Sequence, residues 1–190
     1  MSWTIDEKKE NNNGVENLKV AIENAARKKI ILFCASDDKG DTSGTIPLPA
    51  SSDTKLIKKI GSCDEHGVKS SFVNSDRVDY LFSGEMLPEV SGINWRSRDK
   101  GSSASTALAS GLAALILWCA EMAGPSKADF ASGTRMNQLF DKLKSHTNVA
   151  SLVDVTTILN DAKEAPDPVS KFIELCRDKI HEELKKSEGS

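Results

Sequence analysis

The chain has 190 residues, 38% of them hydrophobic and 28% charged, the composition of a globular protein and not of a disordered one. Its length fits one domain, or two small ones. The 28 acidic residues against 25 basic ones leave a net charge of -3, which excludes the basic footprint of a nucleic-acid binder. With one Tyr, six Phe and three Trp, the core must be largely aliphatic and built from small side chains.

Ser2 to Ile5 reads as the end of a strand. Asp6 to Gly14 is polar and closes on an Asn11-Asn12-Asn13-Gly14 turn signal. From Val15 to Lys29, apolar residues at Val15, Leu18, Ile22 and Ala25/Ala26 recur at helical spacing. Ile30 to Ala35 is a continuous apolar run of strand length, as in a parallel strand buried on both faces. It ends in the polar turn Ser36-Asp37-Asp38-Lys39-Gly40.

Asp41 to Lys55 reads as loop, and Leu56 to Cys63 as the next strand. Val68–Val73 and Val78–Phe82 are short strand candidates. Ser83 to Lys100 reads mostly as loop. Ala104 to Ala120 carries no charge, so it is either a membrane span or a helix at the centre of a packed domain. Seventeen residues is the bare minimum for a span, and six alanines with Ser105, Thr106, Ser110 and Gly111 dilute it. The expectation is therefore a buried helix and no membrane. Gly124-Pro125 stops it. Beyond lie helical patterns at Thr134–Lys144, Val153–Ala162 and Val169–Lys185. Strand–helix–strand order argues for an α/β layer architecture.

Cys34, Cys63, Cys119 and Cys176 are far apart in sequence and match no zinc spacing. Buried, reduced thiols are expected, with no metal or cofactor. The first residues hold no apolar segment of the kind found in a signal peptide, which favours the cytoplasm.

The chemistry is concentrated where Gly101-Ser102-Ser103-Ala104-Ser105-Thr106 enters the apolar helix. A serine at a helix N-terminus faces unpaired N–H groups and the positive end of the dipole, which suits a nucleophile or an anion. It is equally the preferred capping residue. The run from Gly101 to Leu117 resembles the nucleophile segment of subtilisin-like serine proteases (subtilases, peptidase S8), G-T/S-S-M/A-A/S-T/S-P-x-V/A-A/S-G-x-x-A-L. The usual Pro is Ala107 here, and the His that commonly follows it is Leu108. The resemblance makes Ser103 the nucleophile.

Three upstream segments are similar to the family's in the same order. Ile30 to Gly40 resembles the apolar strand that ends A-A/S-G-N-x-G. This places Asp38 where the family's oxyanion-hole Asn stands, and an ionised Asp cannot donate a hydrogen bond. Ile60 to Phe72 and Val78 to Glu85 resemble the next two strand segments. Met1-Ser2-Trp3-Thr4 resembles the strand end lining one wall of the specificity pocket, so the resemblance implies that Ser2, Trp3 and Thr4 flank a substrate side chain together with Ala35, Ser36 and Asp37. By the same analogy, peptide backbone would lie near Ser83-Gly84-Glu85. The likeness looks closest to the fungal-type intracellular subtilases and covers about residues 1–120.

The resemblance therefore implies an α/β fold with a subtilisin-like, doubly wound parallel sheet. The sheet is incomplete, its N-terminal strands being absent, and a helical C-terminal extension follows. Residues 1–125 would be a partial catalytic domain and 126–190 the extension. The function implied is serine endopeptidase activity on peptide or protein substrates through an acyl-enzyme. The family's Asp and His, which precede the nucleophile in chain order, have no counterpart here. His66, His146 and His181 lack the context of the family's His. The chain alone is expected to be inactive, with the missing N-terminal half of the catalytic domain as its partner. The competing expectation is a catalytically dead binding or signalling module.

Overall fold

A computed structural model of the protein describes residues 4–5, 12–40, 46–52, 57–85, 100–122, 133–144 and 152–187. The fold is mixed α/β. Helix α1 (Asn12–Arg27) precedes strand β1 (Leu32–Ala35), and strands β2 (Ile57–Cys63) and β3 (Tyr80–Ser83) follow. Then come helices α2 (Ser102–Met122), α3 (Gly133–Lys142), α4 (Thr156–Lys163) and α5 (Pro168–Ser187). The strands form one parallel sheet in the order β1-β2-β3, with Leu32 opposite Ile57 and Ile60 opposite Tyr80.

α1 turns Val15 and Ile22 inward and buries them. Its first residue is Asn12, so the turn expected over Asn11–Gly14 is corrected. The first-turn N–H groups of a helix have no internal partner, which makes Asn and Gly tolerable there. Just past the end of α1 the chain turns at Lys29, whose φ of 58° is left-handed. The Lys29 N–H donates to Ala26 O at 2.9 Å and the Ile30 N–H to Ala25 O at 3.0 Å, a Schellman closure. This closure consumes Ile30, and β1 is accordingly shorter than the apolar run that suggested it.

Alternation along the strands divides the core. Leu32, Cys34 and Ile57 face α1, packing with Ile22, Leu18 and Ala50. Phe33, Ile60, Tyr80 and Phe82 face α2 and α3. On this second face Phe140 of α3 is the hub. Its ring centroid lies 5.6 Å from Phe33, 5.4 Å from Tyr80 and 5.9 Å from Phe82. The buried Tyr80 hydroxyl points at Asn137 O (3.2 Å) and Asp141 Oδ1 (3.1 Å), tying β3 to α3.

Val68–Val73 is not a strand. Asp64 turns the chain instead, its Oδ1 accepting from the His66 and Val68 N–H groups at 2.9 and 2.8 Å. Only Lys69 makes a bridge, to Cys63. Val73 packs with Cys63 and Leu81 under the sheet. The outer side of β3 meets Leu152, which bridges Leu81.

α2 packs against all three strands and α5. Ala109, Ala113, Ile116 and Ala120 are buried, but Leu108, Leu115, Trp118 and Met122 are exposed. The helix is thus half-buried and not enclosed on all sides as expected. α4 and α5 complete the same core through Ile158, Ala162, Phe172, Ile173 and Cys176. All four cysteines are buried and unpaired, as expected. Burial pushes the Cys34 and Cys176 thiols up to about 12 and Cys63 to about 11, which leaves them protonated and inert at neutral pH.

Candidate functional site

In open parallel sheets, ligands bind beyond the carboxyl ends of the strands. Here the carboxyl ends of β1 and β3 both meet the start of α2. At the β3 end, the Gly84 N–H donates to Cys63 O at 3.0 Å, and Gly84 O accepts from the Gly101 N–H at 2.8 Å. The approach is very close. A Cβ on Gly84 would lie 2.2 Å from Ser105 Oγ, 2.6 Å from Ser62 Oγ and 2.8 Å from Gly101 O. The Ser105 hydroxyl donates to Phe82 O at 2.9 Å, with Ser83 O and Gly101 O at 3.2 and 3.4 Å. Small residues here let the helix start seat directly on the strand end.

At the β1 end, Asp38 reaches across to α2. The fully buried Ser102 donates its N–H to Asp38 Oδ2 at 3.0 Å and its hydroxyl to Oδ1 at 2.5 Å. Gly101 has φ 135°, and a Cβ there would lie 2.8 Å from Oδ2. The carboxylate thus sits on the positive end of α2. Desolvation against the helix raises the Asp38 pKa from the ordinary aspartate value, although the residue's outer surface stays exposed. The two Ser102 hydrogen bonds act against this, and the neighbouring Asp37 adds to it.

Ser103, the expected nucleophile, lies in the first turn of α2 and is exposed. Asp38 is brought to the start of α2, but its carboxylate engages Ser102, one residue before Ser103. Ala35 and Ser36 are buried at the end of β1. The Ser36 N–H donates to Ile60 O at 2.8 Å, while its Oγ is buried without a partner. Asp37 lies beside Lys39 Nζ at 3.4 Å. Ser2 and Trp3 lie outside the described residues. Of that expected pocket wall only Thr4 is described, exposed, next to Ile5, which pairs with Leu48. Gly84 uses its N–H within the chain and already accepts one hydrogen bond at its carbonyl, so a peptide lying along it could engage only the carbonyl's second lone pair. His66 is exposed on its turn, with Nε2 3.6 Å from Glu65 Oε1. His146 and the side chain of His181 lie outside the described residues. Among the described residues no group of three or more His, Cys, Asp or Glu is placed to hold a metal ion.

Sequence reasoning missed Ser102, Ser105, Gly84 and Gly101 as the residues that build the junction. The available signal was their small size at the ends of elements.

No family model matches this chain, and no curated protein does. Solved structures do. It is similar to the protease domain of PatA, a patellamide maturation protease (TM-score 0.58, 19% identity, 84% of this chain and 53% of that one). It is likewise similar to the prenylagaramide maturation protease PagA (0.56, 19%, 83% and 54%). A lanthipeptide protease gives 0.57 at 15% identity, with 92% of this chain and 60% of that one covered. The likeness shows a shared fold. The chain spans little more than half the length of these structures.

These neighbours correct the affiliation expected from the motifs, a peptidase S8 subtilase nearest the fungal intracellular type. The structures found are maturation proteases of the PatA and PagA kind and a lanthipeptide protease. The matched motif positions are largely small residues at the junction of β1, β3 and α2. Close packing demands them, so they report local geometry better than lineage.

Proposed function

We propose that the chain is the nucleophile-bearing half of a serine-type peptide hydrolase, with Ser103 as the attacking residue. The observation that carries this is the placement of Ser103. It is exposed, in the first turn of an apolar helix, at the carboxyl ends of parallel strands, in a fold shared with proteases. In this reading Ser103 Oγ attacks the peptide carbonyl carbon as a base takes its proton. The carbonyl oxygen becomes an oxyanion stabilised by helix-start N–H groups, the amine leaves with the proton, and water then releases the acyl group. In this reading the base and the carboxylate that orients it come from outside the described elements; among the described residues the His66 imidazole stands beside Glu65 on its own turn. Ser2, Trp3, Thr4, Ala35, Ser36 and Asp37 flank the substrate side chain.

Residues 1–125 are then part of the catalytic domain and 126–190 a helical extension packed on it. The sheet is the incomplete half of a doubly wound parallel one. The substrate is a peptide or protein.

A second reading, a binding module without catalysis, is favoured by one observation: the Asp38 carboxylate occupies the helix start where the oxyanion would need donors. A fluorophosphonate probe separates the two. With the complementing half present, the probe labels Ser103 and not the Ser103→Ala variant if the chain is a hydrolase. Absence of labelling in a folded, complemented complex refutes the hydrolase reading.

A further inference from the structure

The amino end of the sheet, opposite the candidate site, gathers cations around exposed apolar side chains. Arg27, at the end of α1, and Lys28 and Lys29 after it are all exposed there, and the chain enters β1 through Ile30, 49% exposed. Leu32 stands opposite Ile57, so Lys58 lies at the same end of the neighbouring strand. Lys58 Nζ is 5.9 Å from the centre of the Tyr80 ring, and Lys144 Nζ, just past α3, is 4.9 Å from it. α2 arrives at this end as well. It starts at the carboxyl ends of the strands, and its Leu117 lines one groove with Ile31, which precedes β1. Its last residues include Trp118, 54% exposed, and Met122, 63% exposed.

The carboxylates on these segments are already engaged. Asp141 holds Lys144 at 3.0 Å and the Tyr80 hydroxyl at 3.1 Å, and Asp79 Oδ2 accepts from the Lys59 N–H at 2.8 Å. Glu121, between Trp118 and Met122, also has a partner. Among the described residues no carboxylate pairs with Lys28, Lys29 or Lys58. In a chain of net charge -3, this end is where unpaired positive charge meets exposed Trp, Met and Ile.

We propose that the amino end of the sheet docks on an anionic lipid bilayer, a property separate from the hydrolase reading. Trp118, Met122 and Ile30 enter the headgroup region, and Lys28, Lys29 and Lys58 meet lipid phosphates and carboxylates. Tryptophan is suited to the lipid–water interface, where its ring sits at headgroup level. Lysine reaches the phosphates on a long apolar stem. The arrangement fits a bilayer better than an acidic peptide. The cations come from the end of α1, from β2 and from the segment after α3, and do not line one groove. The apolar side chains stand out from the surface, so the partner must yield around them. The protein lies on the bilayer and does not span it. Ser103, at the other end of the 21-residue α2, is then held about 30 Å from Met122 and faces the solvent.

The test uses the full chain, with Trp3→Phe and Trp95→Phe so that Trp118 alone fluoresces. The probes are vesicles of phosphatidylcholine, alone or in equal parts with phosphatidylserine. The chain should co-sediment with the phosphatidylserine vesicles at low salt and not with phosphatidylcholine alone, and added salt should release it. Trp118 emission should shift to the blue and be quenched by lipid brominated on its acyl chains. Each cation at such a surface is worth about fivefold in affinity. Lys28→Gln with Lys29→Gln should therefore weaken binding about twenty-fivefold, with helix content unchanged by circular dichroism. Lys39→Gln, beyond the carboxyl end of β1, should change nothing. No association with phosphatidylserine vesicles at low salt overturns the proposal, as does association that leaves Trp118 emission unchanged or the double lysine variant unaffected. Tighter binding to poly-L-glutamate than to the vesicles, with Trp118 unshifted, assigns the surface to an acidic polypeptide and overturns it too. So does self-association that shields Trp118 without lipid.

Discussion

Gly84 to Ala is the smallest change that should pull the site apart. The added methyl would start 2.2 Å from Ser105 Oγ, 2.6 Å from Ser62 Oγ and 2.8 Å from Gly101 O, closer than real Cβ contacts allow. Overpacking of this kind costs about 1–3 kcal/mol. Ser105 Oγ must also swing from Phe82 O, where it donates at 2.9 Å. A buried group left unsatisfied adds about 1–3 kcal/mol. Both effects together should cost about 3–4 kcal/mol, a large fraction of the stability of an ordinary domain. Urea unfolding followed by circular dichroism reads this as a lower midpoint with an unchanged slope. The Ser105→Ala variant removes the nearest clashing atom at a cost of about 1 kcal/mol of its own. The double variant should therefore be at least about 1 kcal/mol more stable than the sum of the singles predicts. Gly14→Ala, where an added Cβ meets nothing within 4 Å, should stabilise by about 0.5–1 kcal/mol. A Gly84→Ala change within about 0.5 kcal/mol of wild type, or strict additivity with Ser105→Ala, would refute the close seating of α2 on β3.

Phe140→Ala removes the ring on which Phe33, Tyr80 and Phe82 converge. It should cost about 3–5 kcal/mol by urea unfolding, and a loss below about 1 kcal/mol would mean that α3 does not close the core. The Asp38 pKa is raised in the fold, so the folded chain holds this proton more tightly than the unfolded chain does. The stability contributed by Asp38 is then fully present below the ordinary aspartate pKa and declines as pH rises through the folded value. Unfolding curves for wild type and Asp38→Asn across this range should show the wild type losing ground as pH rises. A gain instead would show that the Ser102 hydrogen bonds, and not desolvation, dominate.

The elements were legible where one physical signal stood alone. The strand expected over Leu56–Cys63 from Leu56, Ile57, Ile60 and Gly61 matches β2 within one residue, although Lys58 and Lys59 interrupt the apolar pattern. α1 and the C-terminal helices follow from their 3.6-residue spacing. Val68–Val73 misled because β-branched residues at both ends mimic a strand, whereas the Asp64 carboxylate captures two N–H groups and bends the chain first. The open side of α2 was illegible for a different reason. A helix of Ala, Leu, Ile and Ser carries no polar face to mark which side lacks a neighbour, so pattern alone returned a helix buried all round. At the site, the motif order sets Asp38 beside the start of α2, and the structure shows its carboxylate on Ser102. That Asp38 would bind Ser102 required knowing that Gly101 leaves room for its carboxylate, a matter of 2.8 Å.

The same carboxylate decides how much chemistry the proposed nucleophile can do. The Ser102 N–H and Oγ both point at Asp38 and lie beside the exposed Ser103. An ionised Asp38 spends those donors and puts a negative charge where a tetrahedral intermediate would develop another. Like charges about 4 Å apart cost about 4 kcal/mol at a protein surface, and losing one oxyanion donor costs about 10²–10³ in rate. Asn in its place keeps the contact with Ser102, accepting from the N–H through its oxygen, and adds an amide that can donate. Asp38→Asn should therefore speed fluorophosphonate labelling of Ser103 in the complemented complex by at least about 10², with Ser103→Ala as the blank. Asp38→Ala removes the charge without supplying a donor and should fall between wild type and Asn. If Asn and Ala accelerate equally, charge alone restrains Ser103 and position 38 donates nothing. If neither accelerates, Asp38 is a cap on α2 and the oxyanion is held elsewhere, which would sink the assignment of this junction as the reacting centre.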